Sequence, residues 1–295
     1  MTAFILFNMA ILALLALDLG VLHKKPTAPS RTESLVWSLI WLGLSLLFAV
    51  WIWFTKGSHD ALLFLTAYTV EKSLSVDNVM VFAIIFQGLA IPVMYQHRVL
   101  FWGIFTALIF RAIMIFLGAL LIQKFHWVLY VFGGFLIITG IKLLWIKQEG
   151  ESFQTNPTWL FLKKHLPLSE TLHGQKFWIR CQQSGKRLAT PLMAALILVE
   201  ISDIIFAVDS IPAVFAITTD PFLVYTSNVF AILGLRSLYF LLAHALGAFP
   251  YLKKGLALIL CFVGCKMLGI LSVTPGVSLT VILGIMGASI LIKRK

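Results

Sequence analysis

The sequence predicts an all-α polytopic membrane protein with about nine transmembrane helices, six of which form two inverted three-helix repeats. Hydrophobic residues make up 60% of the 295-residue chain and charged residues only 12%, and the mean hydropathy is +0.97. The apolar residues fall in long runs that are separated by polar loops, and one acidic motif occurs twice inside these runs. Soluble domains do not have this composition. We therefore expect the protein to be embedded in the lipid bilayer.

Nine apolar segments are candidates for membrane spans, since a bilayer core needs about 20 residues of helix. The first segment has neither a basic region before it nor a small-residue cleavage site after it, so we expect a retained helix and not a signal peptide. The last segment is short for a span. The segments lie at about 3–22, 34–54, 62–87, 98–121, 127–146, 189–217, 224–246, 254–271 and 277–292.

Basic residues in the loops predict the orientation in the membrane. If the spans alternate in direction, sixteen loop Lys and Arg residues fall on one side and only Lys56 and Lys124 on the other. Because basic loops remain in the cytoplasm, we expect a multi-pass protein of the plasma (inner) membrane with its N-terminus outside and its C-terminus in the cytoplasm. The net charge of +11 comes from these loops, so it does not indicate nucleic-acid binding.

One loop, 147–188, is long enough to have structure of its own. It contains a short amphipathic segment at 157–165 and a pattern typical of a small hairpin around residues 182–185. A basic face lying against anionic lipid explains its composition. We therefore expect a two-helix segment at 1–60, a first three-helix repeat at 61–146, the cytoplasmic loop at 147–188, a second repeat at 189–271, and a final helix with a basic tail at 272–295.

The repeated motif defines the two repeats. Residues 71–83, EKSLSVDNVMVFA, align without a gap to residues 203–215, DIIFAVDSIPAVF, and the acids coincide at both positions. Each unit then has an arginine in its second span and a Gly-x-Lys sequence in its third. Because three spans are an odd number, the second unit is inverted relative to the first. Inverted repeats are typical of secondary transporters, whose substrate sites lie near the midplane at the repeat interface.

Carboxylates deep in the predicted spans are the main functional candidates, because ionisable groups in a bilayer are costly. The two acids of each repeated motif are six residues apart, which on an unbroken helix means about 240° of rotation and about 9 Å of rise. One pair alone therefore cannot hold one ion. Either the helices break or acids from both repeats meet. The candidate acids are Glu71, Asp77, Glu200, Asp203 and Asp209.

Neighbouring groups favour both solutions. Pro212 cannot donate a hydrogen bond to the carbonyl of Val208, which favours a broken helix and leaves that oxygen free beside Asp209. Asn78 and Ser210 follow the second acid of each motif and add neutral oxygen ligands. Together these groups form an all-oxygen ligand set, which suits a hard divalent cation such as Mg²⁺, Mn²⁺ or Ca²⁺ and argues against Zn²⁺ or copper.

We expect the acids to differ in their roles. Asp77 and Asp209 are the best candidates for metal ligands. Glu71 and Asp203 would be co-ligands or proton carriers, with Glu200 as a third acid nearby. Since carboxylates that release a cation can take up protons, this set allows export by proton exchange.

A structural charge network is the alternative explanation. Five buried bases match the five acids in number, so the charges could hold together a membrane scaffold or assembly factor that transports nothing. Arg111 and Arg236 are predicted to hold one acid ionised in each half, and Lys72 is a further candidate for charge pairing. Lys142 and Lys266 lie near span ends and are expected to extend towards the interface.

Enzymatic activity and redox chemistry have less support. The sequence contains no nucleophile–base constellation and no cofactor fingerprint, so we do not expect an enzyme. Cys261 and Cys265 are four residues apart on one helical face, where packing as small apolar residues explains them better than a redox pair does. The oligomeric state is left open, and a homo-oligomer is compatible with the sequence.

Four stretches resemble the TerC family of integral membrane proteins, specifically its Alx-like branch. They are residues 71–78, EKSLSVDN; 200–215, EISDIIFAVDSIPAVF; 219–222, TDPF; and 226–236, TSNVFAILGLR. The resemblance extends from residue 16 to the eighth predicted span. It implies a role in manganese homeostasis as a Mn²⁺ exporter, although the wider family takes its name from tellurite resistance. It also implies that the five acids occupy the family's acidic positions.

Overall fold

The computed structural model of the chain describes residues 2–17, 30–145, 153, 156–169, 171–180, 187–242 and 251–291. The predicted basic tail at 293–295 and the turn of the predicted hairpin at 182–185 lie outside these ranges. The helices are α1 (Thr2–Leu17), α2 (Arg31–Lys56), α3 (Ser58–Gly88), α4 (Val93–Lys124), α5 (Val128–Trp145), α6 (Pro157–His165), α7 (Pro191–Phe215), α8 (Pro221–Leu233), α9 (Leu235–Leu242), α10 (Leu252–Met267) and α11 (Pro275–Leu291). The strands are β1 (Trp178–Arg180) and β2 (Arg187–Ala189).

Within the described ranges, a helix lies in each of the nine predicted spans. Among the described residues, α2, α4, α5 and α7 are long and apolar enough to cross a membrane, and the pair α8–α9 makes a fifth candidate although it bends by 40°. Helices α1, α10 and α11 are shorter, with 16, 16 and 17 residues. The chain is therefore an all-α membrane protein, while the count of nine crossings and the inverted symmetry stay predictions.

Two predicted elements of the long loop, the short helix and the pair of strands, are confirmed within the described residues. Helix α6 coincides with the amphipathic segment; its N-terminal cap is Asn156, whose side chain accepts a hydrogen bond from the amide of Thr158 at 2.9 Å. Strands β1 and β2 pair in antiparallel register, with Ile179 opposite Leu188. The segment from 187 leads directly into α7, which begins with a proline at its first position, where a missing amide costs nothing.

Large apolar side chains cover the outside of the bundle. Leu47, Phe54, Leu117 and Trp145 are exposed on α2, α4 and α5. An aqueous surface this apolar would aggregate, whereas lipid tails solvate it without cost. These helices therefore face lipid.

Helix α3 lies in the centre of the bundle and contacts α2, α7, α8 and α11. It carries polar residues along its middle, and Glu71, Ser75 and Asn78 among them are buried. Helix α8 is buried at every position from Phe222 to Leu233. The interior of the bundle therefore combines one polar helix with one fully enclosed helix.

Helices α5 and α10 approach closely because glycines line their contact. A Cβ on Gly140 would lie 2.6 Å from Sγ of Cys261, and a Cβ on Gly264 would lie 2.8 Å from Cγ1 of Ile137. Small residues at such contacts allow two membrane helices to pack backbone against backbone. Helix α5 also contacts α7.

Candidate metal site between the two predicted repeats

A buried arginine connects three helices. Arg111 on α4 donates from Nη2 to Oδ1 of Asp203 at 2.8 Å and from Nε to Oδ2 at 3.0 Å, a bidentate contact with α7. Its Nη1 donates to Oε2 of Glu71 on α3 at 2.9 Å. The exposed fractions of the arginine, Asp203 and Glu71 are 2%, 3% and 1%. Bidentate, charge-assisted bonds of this kind are strong and directional.

The arginine thus pairs with acids from both predicted repeats. The sequence predicts that Arg111 and Arg236 hold one acid in each half, whereas Arg111 holds Glu71 of the first repeat and Asp203 of the second. The amide of Asn78 adds a bond to Oδ1 of Asp203 at 3.2 Å. Arg236 is buried near the start of α9, and its expected role stays a prediction.

A cavity of about 80 Å³ lies beside this network. It is large enough for an ion with a few waters. Its wall combines side chains from α3, α4, α5, α7 and α10, and the apolar part of the wall comes from α3, α5, α7 and α10. The polar groups of the wall are Glu71, Ser75, Asp77, Asn78, Arg111, Thr139, Asp209 and Ser210.

Two atoms of the cavity wall are buried polar groups with no hydrogen-bond partner among the described residues. They are Oε1 of Glu71 and Oγ of Ser210. A buried oxygen without a partner costs about 1–3 kcal/mol, so native structures keep such groups where water or an ion completes them. The cavity therefore offers carboxylate, amide and hydroxyl oxygens, which are the ligands of hard divalent cations.

The carboxylates do not form a closed metal cage. No group of three or more His, Cys, Asp or Glu side chains in the described part of the chain is close enough to hold one metal ion. Asp77 and Asp209 are the acids of the cavity that Arg111 does not hold. An ion here would be held by these two carboxylates, neutral oxygens and water, an arrangement that also allows release.

Five of the seven predicted metal ligands line the cavity: Glu71, Asp77, Asn78, Asp209 and Ser210. The other two do not. Asp203 does not line the cavity and is bound to Arg111. Glu200 accepts a hydrogen bond from the hydroxyl of Thr106 on α4. Glu200 is three residues before Asp203 on the same face of α7, and both side chains bind groups on α4.

The predicted break of the second acidic helix is wrong. Helix α7 continues through Pro212 to Phe215. The residues from Ser210 to Phe215 are all buried, so packing holds the last turn in helical form although Pro212 supplies no amide to the carbonyl of Val208. The acids of the two repeats meet because α3 and α7 pack against each other.

Lys72 also differs from its predicted role. Within the described ranges its ammonium forms no ion pair; Nζ lies 3.4 Å from the carbonyl oxygen of Ala231 on α8. The residue follows Glu71 directly, so it points about 100° away from the acid around α3. This direction leads to α8 and not to Arg111.

One polar group of the cavity wall has no signal in the sequence. Thr139 lines the cavity from α5, but a lone threonine in an apolar span looks like any packed residue. Lys142, one turn further on α5, is exposed, which agrees with the interfacial position that the sequence predicts for it.

Comparisons with known proteins place the chain among membrane proteins. The family model described as "Integral membrane protein TerC family" matches residues 56–295. A Myxococcus xanthus relative, "Uncharacterized membrane protein STKORF319", is 51% identical over 282 residues, which cover 95% of this chain and 88% of the relative.

Two further relatives carry a functional name. "Putative membrane-bound redox modulator Alx" of Photorhabdus laumondii is 48% identical over 271 residues, 89% of this chain and 84% of its own. The Escherichia coli K12 protein of the same name is 45% identical over 291 residues, 95% of this chain and 90% of its own. No solved structure matches the chain.

Proposed function

The chain belongs to the TerC family of integral membrane proteins, and we propose that it is a transporter that exports divalent cations, with Mn²⁺ as its main cargo. The observation that carries the proposal is the cavity of about 80 Å³ lined by Asp77 and Asp209, one acid from each acidic motif. Intramembrane acids beside a polar cavity are typical of ion pathways.

The oxygen ligands support a hard cation as cargo. Asp77 and Asp209 would provide the charge, while Asn78 and Ser210 would complete the ligand shell together with water. Mn²⁺ accepts six oxygen ligands in an octahedral arrangement, and Mg²⁺ and Ca²⁺ are the competing cargoes of the same class. The preference for Mn²⁺ rests on the family resemblance of the acidic motifs.

Export needs a source of energy. Moving a charge outward against an inside-negative potential of 100 mV costs about 2.3 kcal/mol, and a divalent ion costs about twice that. We propose exchange with entering protons, which the two cavity carboxylates would take up when the metal leaves.

The proposed mechanism is alternating access of two inverted three-helix units in a nine-span protein of the plasma (inner) membrane, with the C-terminus in the cytoplasm. Arg111 would keep α3, α4 and α7 together by holding Glu71 and Asp203, so the cavity carboxylates would keep their positions through the cycle. The residues bind and release an ion, and the proposal assigns no enzymatic step to any of them.

Transport is tested by flux into inside-out proteoliposomes. Protein is reconstituted with an imposed pH gradient, and entry of Mn²⁺ is followed for the wild type, Asp209→Asn and Glu33→Gln. Glu33 lies in the first turn of α2, far from the cavity in sequence and exposed, so its variant is a charge-matched control. We expect flux in the wild type and the control, and none in Asp209→Asn at an unchanged melting temperature. Absence of flux in correctly folded wild type would reject the proposal.

A membrane scaffold that transports nothing is the second candidate, and the Arg111 network favours it. A buried network of one base and two acids across three helices is what a purely structural role requires. In that case Asp209→Asn would change folding or partner binding and no metal would move. The proteoliposome experiment therefore separates the two candidates.

The name of the Alx relatives suggests redox chemistry as a further property to test. The described cysteines, Cys261 and Cys265, are both free thiols on α10. If metal export is the function, a variant with all three cysteines replaced by serine keeps its Mn²⁺ flux. Loss of flux in that variant, with its folding intact, would favour a redox role.

A further inference from the structure

The bend between α8 and α9 is an interruption in an otherwise buried helix. Helix α8 ends at Leu233, α9 begins at Leu235, and the two axes differ by 40°. Gly234 between them has φ −79° and ψ 0°, which every residue type adopts. A helix end carries carbonyl oxygens without intrahelical partners and a partial negative charge. The carboxyl end of α8 thus presents these groups inside the protein.

The ammonium of Lys72 lies at this end of α8. Its Nζ is 3.4 Å from the carbonyl oxygen of Ala231, and a Cβ on Gly234 would lie 2.7 Å from it. A Cβ at residue 234 would therefore displace the ammonium from this position. No carboxylate in the described parts of the chain forms an ion pair with Lys72. Its positive charge is therefore matched by carbonyl oxygens and the dipole of α8.

A second polar group lies one turn earlier on α8. The exposed fraction of Asn228 is 1%, and neither its Oδ1 nor its Nδ2 has a hydrogen-bond partner among the described residues. Ala231 is three residues further along, so the two residues share one face of the helix. A buried amide with both atoms unpaired is rare and indicates water or an ion as its partner.

We propose that the carboxyl end of α8 is a cation-binding site, which Lys72 fills from within the chain and which accepts a small monovalent cation when the ammonium is absent. Neutral oxygens at the end of a broken membrane helix are the ligands that transporters use for Na⁺. The absence of a carboxylate from the described ligands and the single charge of the ammonium indicate a monovalent ion. The proposal is independent of metal export, because it concerns α8 and α9 and not the cavity acids.

The site is tested by thermal unfolding of purified protein in detergent. Wild type, Lys72→Met and Lys72→Gln are compared in NaCl, KCl and choline chloride at equal ionic strength. We expect the melting temperature of both variants to rise by several degrees with Na⁺ or K⁺ and to saturate, because binding to the folded state stabilises it. The wild type, whose site is filled, should respond equally to all three salts. Lys72→Gln keeps the test possible if Lys72→Met does not fold.

Residue 234 provides an independent test. Gly234→Ala should displace the ammonium and lower the melting temperature in the wild-type background, but have no further effect in the Lys72→Met background. Gly134→Ala on α5 is the matched control, because nothing lies within 4 Å of a Cβ at that position. Equal effects of Gly234→Ala in both backgrounds, or variants of Lys72 that do not distinguish Na⁺ and K⁺ from choline, would overturn the proposal.

Discussion

Arg111 and Asp203 join the two predicted repeats through a bidentate ion pair, with Nη2 and Oδ1 at 2.8 Å and Nε and Oδ2 at 3.0 Å. The same guanidinium reaches Glu71 on α3. The guanidinium therefore binds two of the five membrane acids, and Asp77 and Asp209 are further acids that line the cavity. The charge network and the ion site are neighbours that share the side chain of Glu71.

Replacing Arg111 should destabilise the protein strongly. Arg111→Met leaves two buried carboxylates without their partner, and breaking such a pair costs about 3–5 kcal/mol. The loss is measured as the free energy of unfolding in an SDS titration of micellar protein. The triple variant Arg111→Met/Glu71→Gln/Asp203→Asn should recover much of the stability, because it removes the uncompensated charges. A single variant as stable as the wild type would contradict the ion-pair network.

The close contact between α5 and α10 predicts that one added methyl group lowers the stability of the protein. In Gly264→Ala the new Cβ would lie 2.8 Å from Cγ1 of Ile137 and 2.9 Å from the carbonyl oxygen of Gly133. Overpacking of this kind costs about 1–3 kcal/mol, because the backbone of α5 must move. Gly134→Ala, which meets no atom within 4 Å, serves as the control in the same melting experiment. If both variants melt at the same temperature, the helices are not in close contact.

The hydroxyl of Ser210 should contribute to the binding of metal ions and not to the stability of the fold. Since its Oγ is buried and has no partner among the described residues, Ser210→Ala should melt at the wild-type temperature or above it. The rise in melting temperature that saturating Mn²⁺ causes should become smaller. Ser75→Ala is a useful comparison, because that hydroxyl already donates to the carbonyl of Glu71 at 2.7 Å. A clear loss of stability in Ser210→Ala without Mn²⁺ would mean that the hydroxyl bonds to protein.

A second buried polar pair lies away from the cavity. The hydroxyl of Tyr239 on α9 donates to Oε1 of Gln96 on α4 at 2.8 Å, and Nε2 of Gln96 donates to the carbonyl of Ile91 at 2.8 Å. Tyr239→Phe removes the donor and leaves a buried acceptor unpaired, which costs about 1–3 kcal/mol. Mn²⁺ flux per folded molecule should not change. Unaltered thermal stability of this variant would show that water replaces the hydroxyl.

Much of the fold could be predicted because apolar length determines where membrane helices form. The segment predicted at 62–87 is α3, Ser58–Gly88, and the segment predicted at 98–121 is α4, Val93–Lys124. The bend at Gly234 could not be predicted. A glycine inside an apolar run fits a straight helix equally well, and the bend coincides with a contact from Lys72 on another helix.

The sequence identifies the candidate acids, but it does not show which of them Arg111 binds and which line the cavity. The rarity of membrane acids identifies the five carboxylates, and their spacing indicates that either the helices break or acids of both motifs meet. Which of these acids Arg111 binds depends on how α4 is rotated about its axis relative to α3 and α7. This rotation could not be predicted from the sequence. The expected break at Pro212 failed for a related reason, since the packing around Ser210 to Phe215 holds the helix together.

Direct binding of Mn²⁺ tests most closely whether the cavity acids hold the cargo. Free Mn²⁺ gives a sharp six-line electron paramagnetic resonance signal that is lost on binding, so titration of purified protein counts the bound ions. We predict one saturable site in the wild type and in Glu200→Gln, with binding strongly weakened in Asp77→Asn and in Asp209→Asn. Unchanged binding in both aspartate variants, or its loss in Glu200→Gln alone, would contradict a metal site between the two acidic motifs.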